Sequence, residues 1–353
     1  MEMPEWTEDI KESMNKFTSK LKLGTILSRG WVRKTILGIG VVLTLGYPTM
    51  FISQYEINDN PHLQINPQFV IDGGSKVVSQ VVTLLDREIN NTIWAPNKPF
   101  FYPISWGDDM QMYQEGIAYA VSRWAVEMND YLGRGRSSTA SDGDLEKASG
   151  ALKYDPRTWV YDIGDSILPR TSSEGMYNNA ITALMNYNKR LAEGNAVYDL
   201  RADNIINFID RVRKDLGGQG ASLELSILSK DNLTQDELNS LTPEMRELVH
   251  SNGGHFDYAA DNLFFSTKGR MYGYYIILQA LGEDAKKELE ARNAYTLWLR
   301  MLTSLRSGAE LYNLSISNGE TMSWIVPNHL AQIGFYLQRA DKQLLELENV
   351  LSK

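Results

Sequence analysis

With 353 residues, a net charge of −9 and no cysteine, the chain can build one large core or two smaller ones, and it excludes a disulfide scaffold or a thiolate metal site. Residues 1–34 hold seven basic and five acidic side chains, which leaves 28 and 39 of the chain's 35 and 44 for the remainder, a net of −11. So acidic a body argues against nucleic acid as a partner and against binding an anionic surface through bulk charge.

The first 34 residues place Trp6, Ile10, Met14, Phe17 and Leu21 at three- and four-residue steps with lysines between them. That is the pattern of an amphipathic helix lying in a membrane interface or packed on a partner. Residues 35–52 (TILGIGVVLTLGYPTMFI) then run 18 positions without a charge. As a helix they reach about 27 Å, which matches the hydrocarbon core of a bilayer. Lys11, Lys16, Lys20, Lys22, Arg29, Arg33 and Lys34 precede the run, whereas Glu56 and Asp59 follow it and the next basic residue is Lys76. This asymmetry predicts a cytoplasmic N-terminus and an outer C-terminal body. A cleaved signal peptide is the competing reading. Its charged region is short and a small-x-small site follows, whereas here 34 residues precede the run and residues 47–55 hold no such site. Pro48 is tolerated in a span when the freed carbonyls find other partners. Gly38, Gly40, Thr44 and Gly46 leave one side small, which would allow two spans to associate.

Residues 55–67, with Asn58, Asp59, Asn60, Pro61 and Pro67, read as a non-helical stalk. Residues 76–89 read as a helix by length and flanking charge, despite their valines. Residues 91–106 are aromatic and proline-punctuated, so no continuous helix forms. Their aromatic rings are expected to pack across the body, with a ligand-stacking platform as the sharper alternative.

Helical patterns dominate from Asp108 onward. Asp108 or Asp109 is expected to cap a helix reaching about Leu132, and residues 133–141 (GRGRSSTAS) read as a loop. Thr171 with Glu174, and Thr234 with Glu237, have capping-box spacing. A helix over 200–216 is expected to stop at Gly217 and Gly218, and Thr242 before Pro243 marks another start. Residues 328–351 close the chain as a helix. Strand signals are nearly absent. The fold class is all-α: one N-terminal transmembrane helix (35–54) followed by a multi-helix soluble domain (68–353).

Residues 198–205 (YDLRADNI) and 256–263 (FDYAADNL) share aromatic-Asp-x-x-Ala-Asp-Asn-aliphatic. A weaker third version begins at Asp108, and its Gly116 and Tyr119 align with Gly269 and Tyr272 after Asp261. Two aspartates four apart fit a cap and a first-turn charge, where the helix dipole favours a carboxylate. The alternative is convergence on a cation, on an arginine such as Arg201 or Arg270, or on a partner.

Residues 132–138 (LGRGRSS), Asp144, Leu145, Leu152, Lys153, Tyr154, Trp159, residues 187–191 (YNKRL), 201–204 (RADN), 267–272 (TKGRMY), 327–330 (PNHL) and 334–337 (GFYL) together resemble a bacterial membrane-anchored family known only as domain of unknown function 2333. The resemblance implies a Gram-negative inner-membrane protein facing the periplasm, and it brings no activity and no catalytic residues with it.

No nucleophile elbow, phosphate loop, His-Glu-x-x-His or dinucleotide fingerprint is present. His250 and His255 with Asp257 and Asp261 make a metal site imaginable, but a helix end and a capped start explain them as well, and no metal or cofactor is expected. Arg134, Arg136 and Ser137 form the best anion-binding loop, since arginine grips planar anions in two places. Asp203, Asp261 and Arg270 complete the candidate ligand or partner residues. Asp108, Asp109, Glu115 and Glu174 contain the carboxylates from which a glycosidase-like pair would come. The expectation is an envelope interaction or scaffold factor acting on an envelope protein partner, with a periplasmic hydrolase of cell-wall sugar or peptide as the alternative.

Overall fold

The computed structural model describes residues 30–133, 141–161, 168–227, 234–243, 246, 258–313, 316–319 and 327–353. The amphipathic segment before residue 30, the 134–140 loop with Arg134, Arg136 and Ser137, and His250, His255 and Asp257 lie outside these residues. The chain divides into two compact units after Tyr55.

The first unit holds α1 (Gly30–Val41), a π-helical turn over Val42–Gly46 and α2 (Tyr47–Gln54). Arg33–Gln54 is long and apolar enough to cross a membrane, and no residue of it is buried against protein. Pro48 accounts for the π turn. Its ring lacks an N–H and crowds the preceding turn, and the wider helix, in which Tyr47 N–H donates to Val42, relieves that crowding. The Thr44 and Thr49 hydroxyls donate back to Gly40 and Leu45, so neither is left unsatisfied in an apolar surrounding.

The second unit, Glu56–Lys353, is all-helical among the described residues. Its long elements are α3 (Lys76–Asp86), α4 (Asp109–Glu127), α5 (Gly143–Leu152), α6 (Ser173–Ala192) and α7 (Ala202–Ile227). After the short α8 (Gln235–Ser240) come α9 (Tyr258–Asp284), the short α10 (Lys286–Ala291), α11 (Tyr295–Ala309) and α12 (His329–Leu351). The valine run of α3 is helical because it is buried nearly all round, against α6 and α9.

Cross-helix bonds fix the directions. Lys76 N–H reaches Asp284 while Arg87 reaches Tyr272, so α3 runs against α9. Asn188 bonds Ser75 and Asn178 bonds Asn90, so α6 runs against α3. Arg190 holds Asp142 while Tyr177 reaches Tyr154, which reverses α5 relative to α6. Asp199 N–H reaches Leu132 and Tyr119 reaches Asp215, which reverses α7 relative to α4. Trp298 donates to Leu278 and Ser304 to Gln343, so α11 opposes both α9 and α12. The N-termini of α4, α6, α9 and α12 therefore share one end of the bundle, together with the last turns of α3 and α11.

Two boundaries differ from the sequence expectation. Helix α7 runs straight through Gly217 and Gly218 to Ile227. Two glycines cost a helix about 1 kcal/mol each, and burial of Leu216, Gln219 and Leu223 beside α12 outweighs that. The cap of α6 is Ser172, which accepts from Gly175 N–H; Thr171 does not cap it, and Glu174 turns away to Lys98. At Thr234 and Glu237 both bonds of the capping box form.

Candidate functional site

Helices α4 and α9 are parallel and pack at their glycines. A Cβ on Gly269 would sit 2.0 Å from the Tyr113 carbonyl oxygen, and one on Gly116 would sit 2.4 Å from that of Ser266. The two contacts are mirror images under one offset, since 113 is to 266 as 116 is to 269. The weak sequence echo between the two helices is thus a spatial pairing. Parallel neighbours bring two positive helix ends together, and there the carboxylate oxygens of Asp108, Asp109 and Asp261 lie within 4.8 Å of one another. First-turn carboxylates at paired positive ends are what the dipoles favour. The crowding shows in Asp108, whose pKa is raised by burial and by Asp109 beside it.

One side of this pair opens into a cleft of about 270 Å³ bounded by α4, α5 and α9, with Arg270, Glu115, Tyr119, Lys153, Tyr154 and Tyr177 on its walls. The Arg270 guanidinium stacks over the Tyr119 ring at 4.0 Å, and its buried Nε has no hydrogen-bond partner. Glu115 is held at its two oxygens by Arg157, at 2.6 and 3.0 Å. The phenols of Tyr154 and Tyr177 donate to the carbonyls of Thr171 and Tyr154. Burial drives the Tyr177 pKa upward, so it remains a hydrogen-bond donor. The cleft offers two cations, Arg270 and Lys153, and suits a small anionic group better than a bulky substrate, for which pockets run to about 300–1,000 Å³.

Residues 74–353 match a family model described as "Uncharacterized protein conserved in bacteria (DUF2333)". The chain belongs to DUF2333. No curated protein and no solved structure matches it. Within this DUF2333 chain the candidate residues separate. Asp203 is exposed in the first turn of α7, beside the C-terminal end of α4. Asp261 lies at the opposite end, so the 19 residues of α4, about 28 Å of helix, stand between them. Arg201 pairs with Asp199, and Arg270 lies more than two turns beyond Asp261 on α9. Of the four carboxylates named from sequence, Glu115 holds Arg157, Glu174 holds Lys98 at 2.6 Å and Asn97 at 2.6 Å, and Asp108 and Asp109 join Asp261. Burial alone would raise the Glu174 pKa, but its Lys98 and Asn97 partners pull it below the usual carboxylate range.

What the sequence left out is a buried polar centre. Lys268, 2% exposed, places Nζ 2.6 Å from Asp59 and 2.5 Å from the Leu311 carbonyl. The Tyr113 hydroxyl donates to Asn58 (3.0 Å) and that of Tyr272 to Asn60 (2.8 Å), while Gln80 donates to Leu63 (2.8 Å). Arg87 donates to Tyr272 and to Glu88, and Glu88 accepts from Gln114. Residues 58–66, expected as a stalk, are thus a strap stitched along the DUF2333 domain, although they precede the family match. The only sequence signal was the polarity of the strap itself, which a solvated linker shares.

Proposed function

We propose that this protein is a single-span inner-membrane protein whose helical domain lies in the periplasm and acts as a scaffold by binding another envelope component. One observation carries the reading: the carboxylates Glu115 and Glu174 are committed to separate intramolecular pairs, Glu115 to Arg157 and Glu174 to Lys98, which favours recognition over proton transfer. The apolar helix Arg33–Gln54 with its basic leading flank supports the orientation. Arg270 and Lys153 supply the contact, taking a carboxylate or phosphate of the partner into the α4–α5–α9 cleft. A photoreactive residue at Ser122 on the cleft wall, activated in intact cells, is expected to give one adduct of defined mass. The adduct should vanish when Arg270→Met removes the charge. An adduct unchanged by that substitution, or none at all, contradicts the reading.

A further inference from the structure

The end of the bundle that carries the N-termini of α4, α6, α9 and α12 also exposes large aromatic side chains. Phe100 is 84% exposed, Trp106 65% and Tyr312 76%, and Phe101 and Tyr161 are also exposed. Of the aromatic rings in the segment expected to pack inward, Trp94 is buried and meets the Tyr177 ring edge-on, beside the buried Ala95 and ahead of the buried Ile104. Phe100 and Phe101 of this segment form a raft with Trp159 and Tyr161: Phe100 contacts Phe101, Phe101 contacts Trp159, and Trp159 contacts Tyr161, at centroid distances of 5.7, 5.9 and 5.7 Å. The Trp106 indole donates to the Phe100 carbonyl, and Gln111 in the first turn of α4 donates to Ser105 and Gly107, which pins the loop to that end. Tyr312 follows the last turn of α11, next to the Leu311 carbonyl that holds Lys268.

We propose that this aromatic end seats on the outer interface of the bilayer in which the protein's own helix is anchored. The proposal rests on the reading of Arg33–Gln54 as a span. The strap supplies the argument for the occupant. Asn58 and Asp59 are bound to Tyr113 and Lys268, within the first turns of α4 and the first half of α9, so the chain leaves the domain at this end. Only Tyr55 and the strap's first residues separate Gln54 from that fixed point. A tether this short keeps the aromatic end at high effective concentration beside the lipid. Tryptophan and tyrosine favour the interfacial zone, where an apolar ring and a polar tip are both satisfied. The carboxylates of Asp108, Asp109 and Asp261 lie at the same end, so seating depends on ring insertion and needs no anionic lipid.

The absence of native cysteine makes a direct test possible, because each introduced cysteine is unique. The full chain is placed in phosphatidylcholine nanodiscs and spin-labelled singly at Phe100→Cys, Tyr312→Cys, Val197→Cys (near the opposite end) and Leu43→Cys (in the apolar helix). The accessibility ratio of oxygen to a water-soluble nickel chelate is then measured at each. At Phe100 and Tyr312 the ratio is expected to be several-fold above that at Val197 and below that at Leu43. A lipid-like ratio at Leu43 with aqueous ratios at Phe100 and Tyr312 overturns the seating alone. An aqueous ratio at Leu43 overturns the span and the seating together. A Phe100 label shielded from both reagents means that protein covers this end, which also overturns it.

Discussion

Neutralising one strap residue, Asp59→Asn, should strand the buried ammonium of Lys268. At 2.6 Å the pair's gross attraction is about 6 kcal/mol if the effective dielectric is about 20. The carboxylate is 33% exposed, so water screens part of this, and the Leu311 carbonyl continues to accept from Lys268. Removing one partner of a buried pair costs about 3–5 kcal/mol, and the screening places Asp59→Asn near the lower figure, about 3 kcal/mol. Lys268→Met should cost less, because a partly exposed carboxylate regains water whereas a buried ammonium does not. The pair Asp59→Asn with Lys268→Met should be no less stable than Lys268→Met alone. Urea unfolding of residues 56–353, followed by circular dichroism, reads all three. An Asp59→Asn loss under about 1 kcal/mol, against the 3–5 kcal/mol of a stranded charge, would refute the claim that the strap completes the core.

Starting the soluble fragment at Asn66 instead of Glu56 removes the partners of Lys268, Tyr113, Tyr272 and Gln80. At about 1 kcal/mol per neutral hydrogen bond plus the stranded charge, the shorter fragment should lose roughly 5 kcal/mol or more by urea midpoint while the longer one unfolds cooperatively. Gly269→Ala must push α4 and α9 apart or be forced against the Tyr113 carbonyl, so thermal unfolding should show a loss of about 3 kcal/mol, whereas Gly150→Ala, with open space at its Cβ, should show none. His329 has its pKa lowered from 6.5 by burial, and its Nδ1 accepts from Ser317 N–H. The unfolded chain therefore takes up the proton first, and stability held above pH 6.5 should fall as pH drops below it; His329→Asn should flatten that slope in urea titrations at successive pH values.

Patterns that depend on neighbours in sequence were the legible part of this fold. The charge-free run before Ser53, the Thr234–Glu237 capping box and the closing helix after Asn328 all have their partners within a few residues. The Gly217–Gly218 stop misled because the burial that carries α7 through it comes from α12, more than a hundred residues away in sequence. The strap misled for the same reason, since Asp59 reads as a surface residue until Lys268 is known to lie beneath it. The echo from Asp108 to Asp261 was visible as a pattern, yet its meaning, two parallel helices touching at Gly116 and Gly269, needs the third dimension. The aromatic loop misled in the opposite direction. Composition predicts burial for Phe100 and Trp106, and only packing shows that Trp94 turns inward while those two face out.

Which side of the membrane the helical domain occupies decides both the scaffold role and the bilayer contact proposed for its aromatic end. Paired fusions of a reporter active only outside the cytoplasm, one after Lys353 and one before Met1, measure this directly in intact cells. Activity from the fusion after Lys353 and silence from the one before Met1 is the expected result. The reverse pattern would place the domain in the cytoplasm and contradict the scaffold reading together with the bilayer face assigned to its aromatic end.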